Sequence, residues 1–264
     1  MDLMTILGLI VGFAAIIGGM ILEGGKLGSI TQLTAAIIVF GGTAGAVLIS
    51  FPFSTIILGL KNLKKAFFHS RTDPEALIAQ ILECSAHARQ EGLLSLESRV
   101  GESKDPFYRK GLQLIIDGTE PDVVRNILEI DIDNSEEQGL ASAKVFEAAG
   151  GYSPTIGIIG AVLGLIHVMS NLADPAELGS GIAVAFVATV YGVGAANLVL
   201  LPVANKIKFK VKLESVLKEM LVEGFIGLSE GENPRLLSEK LEGYLSEAQK
   251  ARRRAKAGSS GQPD

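Results

Sequence analysis

Four long apolar segments constrain the fold of this 264-residue chain more than any other feature. They cover approximately residues 3–22, 30–60, 154–173 and 179–205. Each one reaches the roughly 20 residues that a helix needs to cross about 30 Å of hydrocarbon. The hydrophobic fraction of 48% and a positive mean hydropathy agree with a membrane protein. The sequence therefore predicts an all-α, polytopic membrane protein with four transmembrane helices.

Charged residues lie almost entirely outside these segments and define the remaining parts of the chain. We expect two transmembrane helices in 1–60, with Pro52 bending the second near the membrane surface. A helical cytoplasmic domain follows in 61–152, then transmembrane helices three and four in 153–205, C-terminal cytoplasmic helices in 206–250 and a disordered tail in 251–264. Helix starts within the soluble parts are predicted at Asp73-Pro74, Asp105-Pro106, Pro121 and Asn233-Pro234.

The orientation in the membrane follows from the distribution of lysine and arginine, which are enriched on the cytoplasmic side. Lysines follow the second and fourth apolar segments, at Lys61, Lys64, Lys206 and Lys208, whereas the short loops 23–29 and 174–178 contain only Lys26. We therefore expect both termini and the large insert to be cytoplasmic, in a multi-pass membrane protein.

The third and fourth apolar segments contain no Asp, Glu, Lys or Arg. A proton relay in a membrane needs a titratable group, so a partner must supply the carboxylate if this chain conducts protons. The segments do offer hydroxyl groups, including Thr155 and Thr189. Each hydroxyl could either face an ion pathway or bond to a carbonyl one turn back in its own helix. His167 could act in a relay or lie at the membrane surface.

Glycine pairs and prolines predict close helix packing and a bend. Gly8 and Gly12, Gly41 and Gly45, and Gly160 and Gly164 have the four-residue spacing that lets membrane helices approach, which favours an oligomer. Pro154 is expected at the start of the third span. Pro202 falls in the last turns of the fourth, where it removes a backbone hydrogen bond and predicts a hinge or a fixed kink.

Enzyme activity has no support in the sequence. We find no nucleotide-binding loop, metal-ligand cluster or nucleophile–base pair, and Cys84 is the single cysteine, so it forms no intrachain disulfide. We expect no enzyme, no cofactor, no metal and no nucleic-acid partner.

One part of the chain resembles a known family. Residues 150–208 read GGYSPTIGIIGAVLGLIHVMSNLADPAELGSGIAVAFVATVYGVGAANLVLLPVANKIK, and this run resembles the MotA/PomA family of flagellar stator proteins. The resemblance implies a homopentamer in the lipid bilayer around a dimer of a MotB-like single-span partner, which supplies the membrane aspartate. It also implies a cation channel of the bacterial cytoplasmic (inner) membrane that drives the flagellar rotor.

The resemblance assigns roles to particular residues. Thr189 matches the channel-lining threonine of the fourth span, and Pro154 and Pro202 match paired prolines that couple conformational change. In the run ARQEGLLSLE, residues 88–97, Arg89 and Glu97 match residues that engage the rotor switch protein.

The resemblance also bears on the coupling ion. Sodium-driven relatives carry a third-span threonine where this chain has Ala161, and Thr155 is more than one turn away. Fewer oxygen ligands favour protons over sodium, although a sodium site that uses Thr189, backbone carbonyls and the partner aspartate stays open. Alternatives to the stator are an ExbB/TolQ-type energiser, with three spans expected, and a membrane scaffold without transport.

Overall fold

The computed structural model describes residues 2–67, 73–170 and 175–259, and every regular element in these ranges is helical. This confirms the predicted all-α class. The α-helices are α1 (Leu3–Leu22), α2 (Leu33–Ala36), α3 (Gly42–Ser50), α4 (Phe53–Phe67), α5 (Pro74–Glu91), α6 (Glu97–Glu102), α7 (Pro106–Ile116), α8 (Pro121–Ser170), α9 (Pro175–Ala195), α10 (Leu201–Ser229), α11 (Pro234–Glu242) and α12 (Glu247–Ser259). Two π turns, Ile37–Gly41 and Ala196–Leu200, join α2 to α3 and α9 to α10.

The chain divides into two compact units, which we describe separately. The membrane unit comprises Met1–His69 and Gln138–Lys210, and the second unit comprises Ser70–Glu137 and Val211–Asp264. Four helices in the described ranges are long and apolar enough to cross a membrane, which confirms the predicted number of spans. They are Leu3–Leu22, Leu33–Ser50, Pro121–Ser170 and Leu178–Ser229.

The second span is shorter than predicted. It ends at Ser50, and Phe51 adopts an extended conformation, with φ −131° and ψ 144°, before α4 begins at Phe53. The cause is Pro52, because a proline ring disfavours helical backbone in the residue before it. Pro52 therefore breaks the predicted 30–60 helix, where we had expected only a bend.

The third span also differs from expectation at its start. Pro154 lies inside α8, which is one helix from Pro121 to Ser170, rather than at the first turn of a new helix. Proline lacks the N–H that would donate to the carbonyl four residues earlier. Because Pro154 lies inside α8, one backbone hydrogen bond of this helix is missing where its apolar part begins.

The second unit is a soluble-type helical domain with its own hydrophobic core. Its helices begin as predicted: Asp73, Asp105 and Asn233 cap α5, α7 and α11 by accepting hydrogen bonds from backbone N–H groups in the first turn. The core joins α5, the helical turn Leu93–Leu96, α7, α8, α10 and α11 through fully buried side chains. The largest are Ile78, Ile81, Leu96, Tyr108, Leu112, Ile115, Leu128, Met220, Leu221, Phe225 and Leu237.

The C-terminal tail differs from the expected disorder over most of its length. Helix α12 covers Glu247–Ser259, and residues 260–264 of the predicted tail lie outside the described residues. The helix has a physical basis, since its sequence EAQKARRRAKAGS is rich in alanine, lysine and arginine, which have high helix propensity.

Candidate ion pathway

The apolar part of α8 packs directly against α9, and glycines permit the approach. A Cβ atom at Gly157 would lie 2.8 Å from the Ala188 carbonyl oxygen, and one at Gly192 would lie 2.5 Å from the Ser153 carbonyl oxygen. Contacts this short exclude any side chain larger than hydrogen. The two spans therefore form a close backbone-to-backbone pair, and the remaining glycines at this contact are Gly160, Gly164 and Gly181.

The predicted glycine pairs contribute unequally to packing inside the chain. Gly160 and Gly164 meet α9 as expected, and Gly12 faces Leu198, whose Cδ2 would lie 3.1 Å from an added Cβ. Gly8, Gly41 and Gly45 meet nothing within 4 Å in this chain, so the prediction that they serve packing between subunits stays a prediction. These three glycines leave open space on the surface of the membrane unit.

Thr189, the predicted pathway threonine, lies on α9 at this contact and is half-buried. Its Oγ1 donates to the Ala185 carbonyl oxygen at 3.2 Å, and a Cβ atom at Gly157 would lie 3.5 Å from its Cα atom. A hydroxyl that donates to its own helix keeps its lone pairs as acceptors. The Thr189 hydroxyl oxygen can therefore still coordinate a cation or accept a hydrogen bond from water in a proton pathway.

Thr155 and Ala161 lie on α8 but differ from Thr189 in their surroundings. The Thr155 hydroxyl is exposed and donates to the Tyr152 carbonyl oxygen at 2.8 Å. Ala161 is half-buried, next to Gly160, and carries no polar side-chain atom. No hydrogen bond joins these residues to Thr189 in the described part of the chain, so the structure does not bring the three together as one polar cluster.

Pro154 and Pro202 lie in neighbouring parts of the α8–α9–α10 packing. A Cβ atom at Gly192 would lie 3.2 Å from the Pro154 Cα atom, and one at Gly150 would lie 2.7 Å from the side chain of Leu201. The π turn Ala196–Leu200 ends just before Pro202, and the Leu201 N–H donates to the Ala196 carbonyl oxygen, five residues back. The helix is thus locally widened where the predicted hinge lies.

Ser153 is a polar residue of the α8–α9 contact that the sequence analysis did not single out. Its side chain is fully buried, and its hydroxyl has no hydrogen-bond partner among the described residues. An unpaired buried hydroxyl is costly. The close contact between its carbonyl oxygen and Gly192 places Ser153 where the two spans touch.

Tyr191 fixes the position of α9 against the start of the second span. Its hydroxyl donates to the Ile30 carbonyl oxygen at 2.6 Å and accepts from the Gln32 N–H at 3.3 Å. Its ring stacks on Phe40, with centroids 5.9 Å apart. The tyrosine lies two residues after Thr189, so it helps to hold the pathway face of α9 in place.

Sequence reasoning missed an ion cluster that joins the beginning of α1 to the end of the fourth span. The Asp2 carboxylate accepts from Lys206 Nζ at 2.8 Å and lies 3.3 Å from Lys210 Nζ. The hydrogen bond from Lys206 holds the pKa of Asp2 well below its usual range against the opposing effect of burial. More than 200 residues separate Asp2 from its partners, and this is why no sequence pattern shows the cluster.

The predicted rotor-contact residues lie in the second unit. Arg89 is in the last turn of α5 and Glu97 begins α6, on either side of a short turn, Leu93–Leu96. Both side chains are exposed, and neither forms an ion pair within the described ranges. The nearby charges Arg99 and Glu83, by contrast, pair with each other at 2.7 Å.

Within residues 2–67, 73–170 and 175–259, no three His, Cys, Asp or Glu side chains are grouped so as to hold a metal. Chemically, the α8–α9 contact offers hydroxyl and carbonyl oxygens but no ionised group. The fold and this contact therefore define a class: multi-pass helical membrane proteins whose described spans pack closely through glycines and carry no carboxylate in their apolar parts.

Comparisons with known proteins identify the family. Two family models match, one described as the MotA/TolQ/ExbB proton channel family at residues 100–220 and one as Motility protein A N-terminal at residues 6–92. Chemotaxis protein PomA of Vibrio alginolyticus is 38% identical over 95% of this chain and 98% of its own length. Motility protein A of Bacillus subtilis (strain 168) is 36% identical over 93% and 91%. The chain belongs to the MotA/PomA family of flagellar motor stator subunits, which are multi-pass inner-membrane proteins.

Solved structures agree with this assignment. The C. jejuni MotAB structure matches with a TM-score of 0.89 and 33% identity, covering 94% of this chain and 97% of the other. The flagellar MotAB stator complex from Bacillus subtilis matches with a TM-score of 0.88 and 34% identity, covering 94% and 98%. Because the N-terminal motility model also matches, the ExbB/TolQ alternative has less support than the stator.

Proposed function

We propose that this chain forms a proton channel with a MotB-like single-span subunit and converts ion flow into torque on the flagellar rotor. The observation that carries the proposal is the lack of Asp, Glu, Lys and Arg in the described apolar parts of all four spans. A proton channel needs a carboxylate in the membrane, and the partner supplies it in this scheme. The similar solved structures contain MotA together with MotB, as their names state.

A homopentamer around a partner dimer would give each subunit's α8–α9 pair access to the partner carboxylate. The described apolar windows are 0–28% buried inside one chain, so large apolar faces remain for lipid, neighbouring subunits and the partner. Thr189 would supply a hydroxyl oxygen to the pathway. Ala161 supplies none, and this favours protons over a cation that must replace several water ligands.

In the proposed mechanism, protonation of the partner carboxylate changes which subunit it contacts, and the movement passes through Pro202 and Pro154. One charge that crosses a potential of about 100 mV releases roughly 2.3 kcal/mol. That energy suffices for a small conformational step per ion. A widened helical turn before Pro202 is a suitable place for such a step, since its backbone bonds are already rearranged.

Torque would reach the rotor switch protein through Arg89 and Glu97. Both side chains are exposed and they carry opposite charges, so they can bind a rotor surface that carries complementary charges. Arg89→Glu and Glu97→Lys should slow rotation, and charge reversals on the rotor should restore it. Arg109→Glu is a matched control, because Arg109 is an exposed arginine elsewhere in the second unit.

The experiment that tests the function is swimming of a stator-deleted host that carries this chain and its partner. Sodium and proton gradients are collapsed separately. We expect motility to survive sodium removal and to stop with a protonophore, and sodium dependence would contradict the proton assignment. Failure to rescue swimming with a cognate rotor would contradict the stator proposal.

The pathway role of Thr189 is tested in the same host. Thr189→Ala should reduce speed and Thr189→Ser should retain most of it, because serine keeps the hydroxyl. Thr43→Ala is the matched control, since Thr43 is a buried membrane threonine that also donates to its own helix, at 2.6 Å to the Val39 carbonyl oxygen. Equal effects of Thr189→Ala and Thr43→Ala would remove Thr189 from the pathway.

A further inference from the structure

The second span is preceded by two residues that are not helical. Thr31 and Gln32 are extended, with φ −104° and −130°, between the short helical turn Leu27–Ile30 and α2. Backbone N–H and C=O groups outside a helix have no regular partner, and they are costly to leave unpaired beside apolar segments. The start of the second span therefore needs hydrogen-bond partners from another part of the chain.

Tyr191 of α9 supplies a partner for two of these backbone groups, one on each side of Thr31. Its hydroxyl donates to the Ile30 carbonyl oxygen at 2.6 Å and accepts from the Gln32 N–H at 3.3 Å. The Gln32 side chain forms no capping bond, and within residues 2–67, 73–170 and 175–259 no backbone hydrogen bond reaches either group. These two hydrogen bonds, here called the Tyr191 bridge, thus cap the second span from 159 positions further along the chain.

The ring of Tyr191 contacts a second point of the same span. It stacks on Phe40, which lies in the π turn Ile37–Gly41, and such turns are frequent at functional sites. The side chains between the two points form one buried cluster, made of Ala35, Val39, Val187 and Ala188. Hydroxyl and ring together therefore hold the second span against α9 on both sides of α2.

Thr189 lies between the two contacts that place α9. Ala188, just before it, is fully buried against the second span, and Gly192, three residues later, approaches the Ser153 backbone of α8. Apolar contacts have no preferred direction, whereas a hydrogen bond fixes both a distance and an angle. The Tyr191 bridge is therefore the contact best suited to set the axial position of Thr189 against α8.

We propose that Tyr191 is a positioning residue for the ion pathway: through its hydroxyl, the start of the second span sets where Thr189 stands relative to α8. A displacement of residues 30–32 then moves Thr189, although the second span contributes no side chain to the proposed pathway. Loss of the hydroxyl frees α9 to shift and exposes position 189. The inference rests on the proposed role of Thr189 and adds the element that controls its position.

The position of Thr189 is measured first, by a method that needs no ion flow. Thr189→Cys is made in the full-length chain, and isolated membranes that contain this chain and its partner are treated with a small maleimide. The readout is the labelling rate, and the background is low because Cys84 is fully buried. Tyr191→Phe keeps the ring and removes the Tyr191 bridge, so it should raise the rate several-fold. An unchanged rate would overturn the proposal.

Tyr152→Phe is the matched control for the loss of a tyrosine hydroxyl. Tyr152 is also a half-buried tyrosine of the membrane unit, and its hydroxyl bonds to the Ser50 hydroxyl at 2.9 Å. This variant should leave the labelling rate at position 189 unchanged. An equal rise in both tyrosine variants would indicate a general loosening of helix packing, which contradicts a specific role of Tyr191.

A second variant approaches the Tyr191 bridge from its other end and keeps Tyr191 intact. Thr31→Gly loosens the extended backbone between the two bonded groups, so it should also raise the labelling rate at position 189. This variant decides the question if Tyr191→Phe fails to assemble. A labelling rate equal to that of the parent chain would show that residues 30–32 do not control Thr189, against the proposal.

A double-mutant cycle then connects the position of Thr189 with rotation. Tyr191→Phe alone should slow tethered-cell rotation, and it should cause little further loss in a Thr189→Ala background, because the contribution of Thr189 is already absent there. Equal fractional slowing in both backgrounds would show a purely structural effect and overturn the proposal. If the parent complex drives no rotation, the stator function is contradicted, whereas the labelling rates still decide the role of Tyr191.

Discussion

At the scale of single residues, the contact between α8 and α9 depends on positions that tolerate no side chain. We expect Gly192→Ala to lower the thermal stability of the detergent-solubilised protein, since the new Cβ would lie 2.5 Å from the Ser153 carbonyl oxygen and 3.1 Å from the Gly157 Cα atom. Overpacking of this kind costs about 1–3 kcal/mol. The measurement is the temperature at which half of the protein is lost from the monodisperse peak after heating.

The control for this prediction is a glycine on the same helix. Gly194 meets nothing within 4 Å of an added Cβ, and alanine has the higher helix propensity. Gly194→Ala should therefore leave the half-loss temperature unchanged or slightly higher. If Gly192→Ala behaved in the same way, the close approach of the two spans at Ser153 would be wrong.

A second prediction at this scale concerns acid sensitivity of the second unit. Glu223, on α10 beyond its apolar part, accepts from Arg125 at 2.6 Å and lies 2.7 Å from Lys240 Nζ. The Arg125 hydrogen bond, with help from Lys240, holds the pKa of Glu223 below its usual range. A lowered carboxyl pKa stabilises the fold above the ordinary range of glutamate, and that stabilisation is lost as the pH falls through the lowered pKa.

We expect Glu223→Gln to destabilise the second unit at neutral pH by about 1.5–3 kcal/mol, the usual contribution of hydrogen bonds to charged groups, and to destabilise it less as the pH falls. Because Lys240 is on α11, hydrogen exchange of Pro234–Glu242 should accelerate in this variant. The readout is amide exchange at neutral and acidic pH. Identical acid sensitivity of the variant and the parent protein would contradict the assignment.

At the scale of elements, the join between α9 and α10 combines a π turn with a proline inside the fourth span. Pro202 cannot donate to the Leu198 carbonyl oxygen, four residues back, and the π turn Ala196–Leu200 lies immediately before it. Pro202→Ala restores the donor and favours a regular α-helix across the join. We expect reduced torque with normal assembly, measured as tethered-cell rotation speed and as co-purification with the partner subunit.

The control for the hinge is a proline whose missing N–H removes no hydrogen bond from its helix. Pro74 begins α5, where the first N–H groups of a helix have no partner inside the helix. Pro74→Ala should leave rotation unchanged. Normal rotation of the Pro202→Ala variant would remove the hinge from the mechanism, and loss of co-purification would show that Pro202 acts on assembly instead.

At the scale of the whole molecule, the orientation of the chain in the membrane remains a proposal based on the lysine flanks. We expect Lys26→Cys to react with a membrane-impermeant maleimide in intact cells, because the loop 23–29 should face outward. Arg109→Cys, in the second unit, should react only after the membrane is permeabilised. The background is low, since Cys84 is the single native cysteine and is fully buried. Reaction of Arg109→Cys in intact cells would contradict the orientation.

Much of the fold follows from the sequence because its signals are local. A cap such as Asp73 before Pro74 satisfies backbone groups within the next few residues, and a run of apolar residues predicts a span from its own length. The four spans and the helical second unit were predictable in this way, whereas the family came from the resemblance of residues 150–208. Thr189, Pro154 and Pro202 came from resemblance to the family, and their roles stay predictions.

Tertiary structure decided which helix faces meet, since that depends on residues far apart in the chain. The Gly192 contact with Ser153, the Tyr191 hydrogen bond to Ile30 and the Asp2 pair with Lys206 each join different segments. Local patterns carry no information on such pairings, because hydropathy and helix propensity are set by neighbours along the chain, whereas close packing is set by complementary shapes. For the same reason, a cavity beside Pro202 was visible only once α1 and the fourth span were placed together.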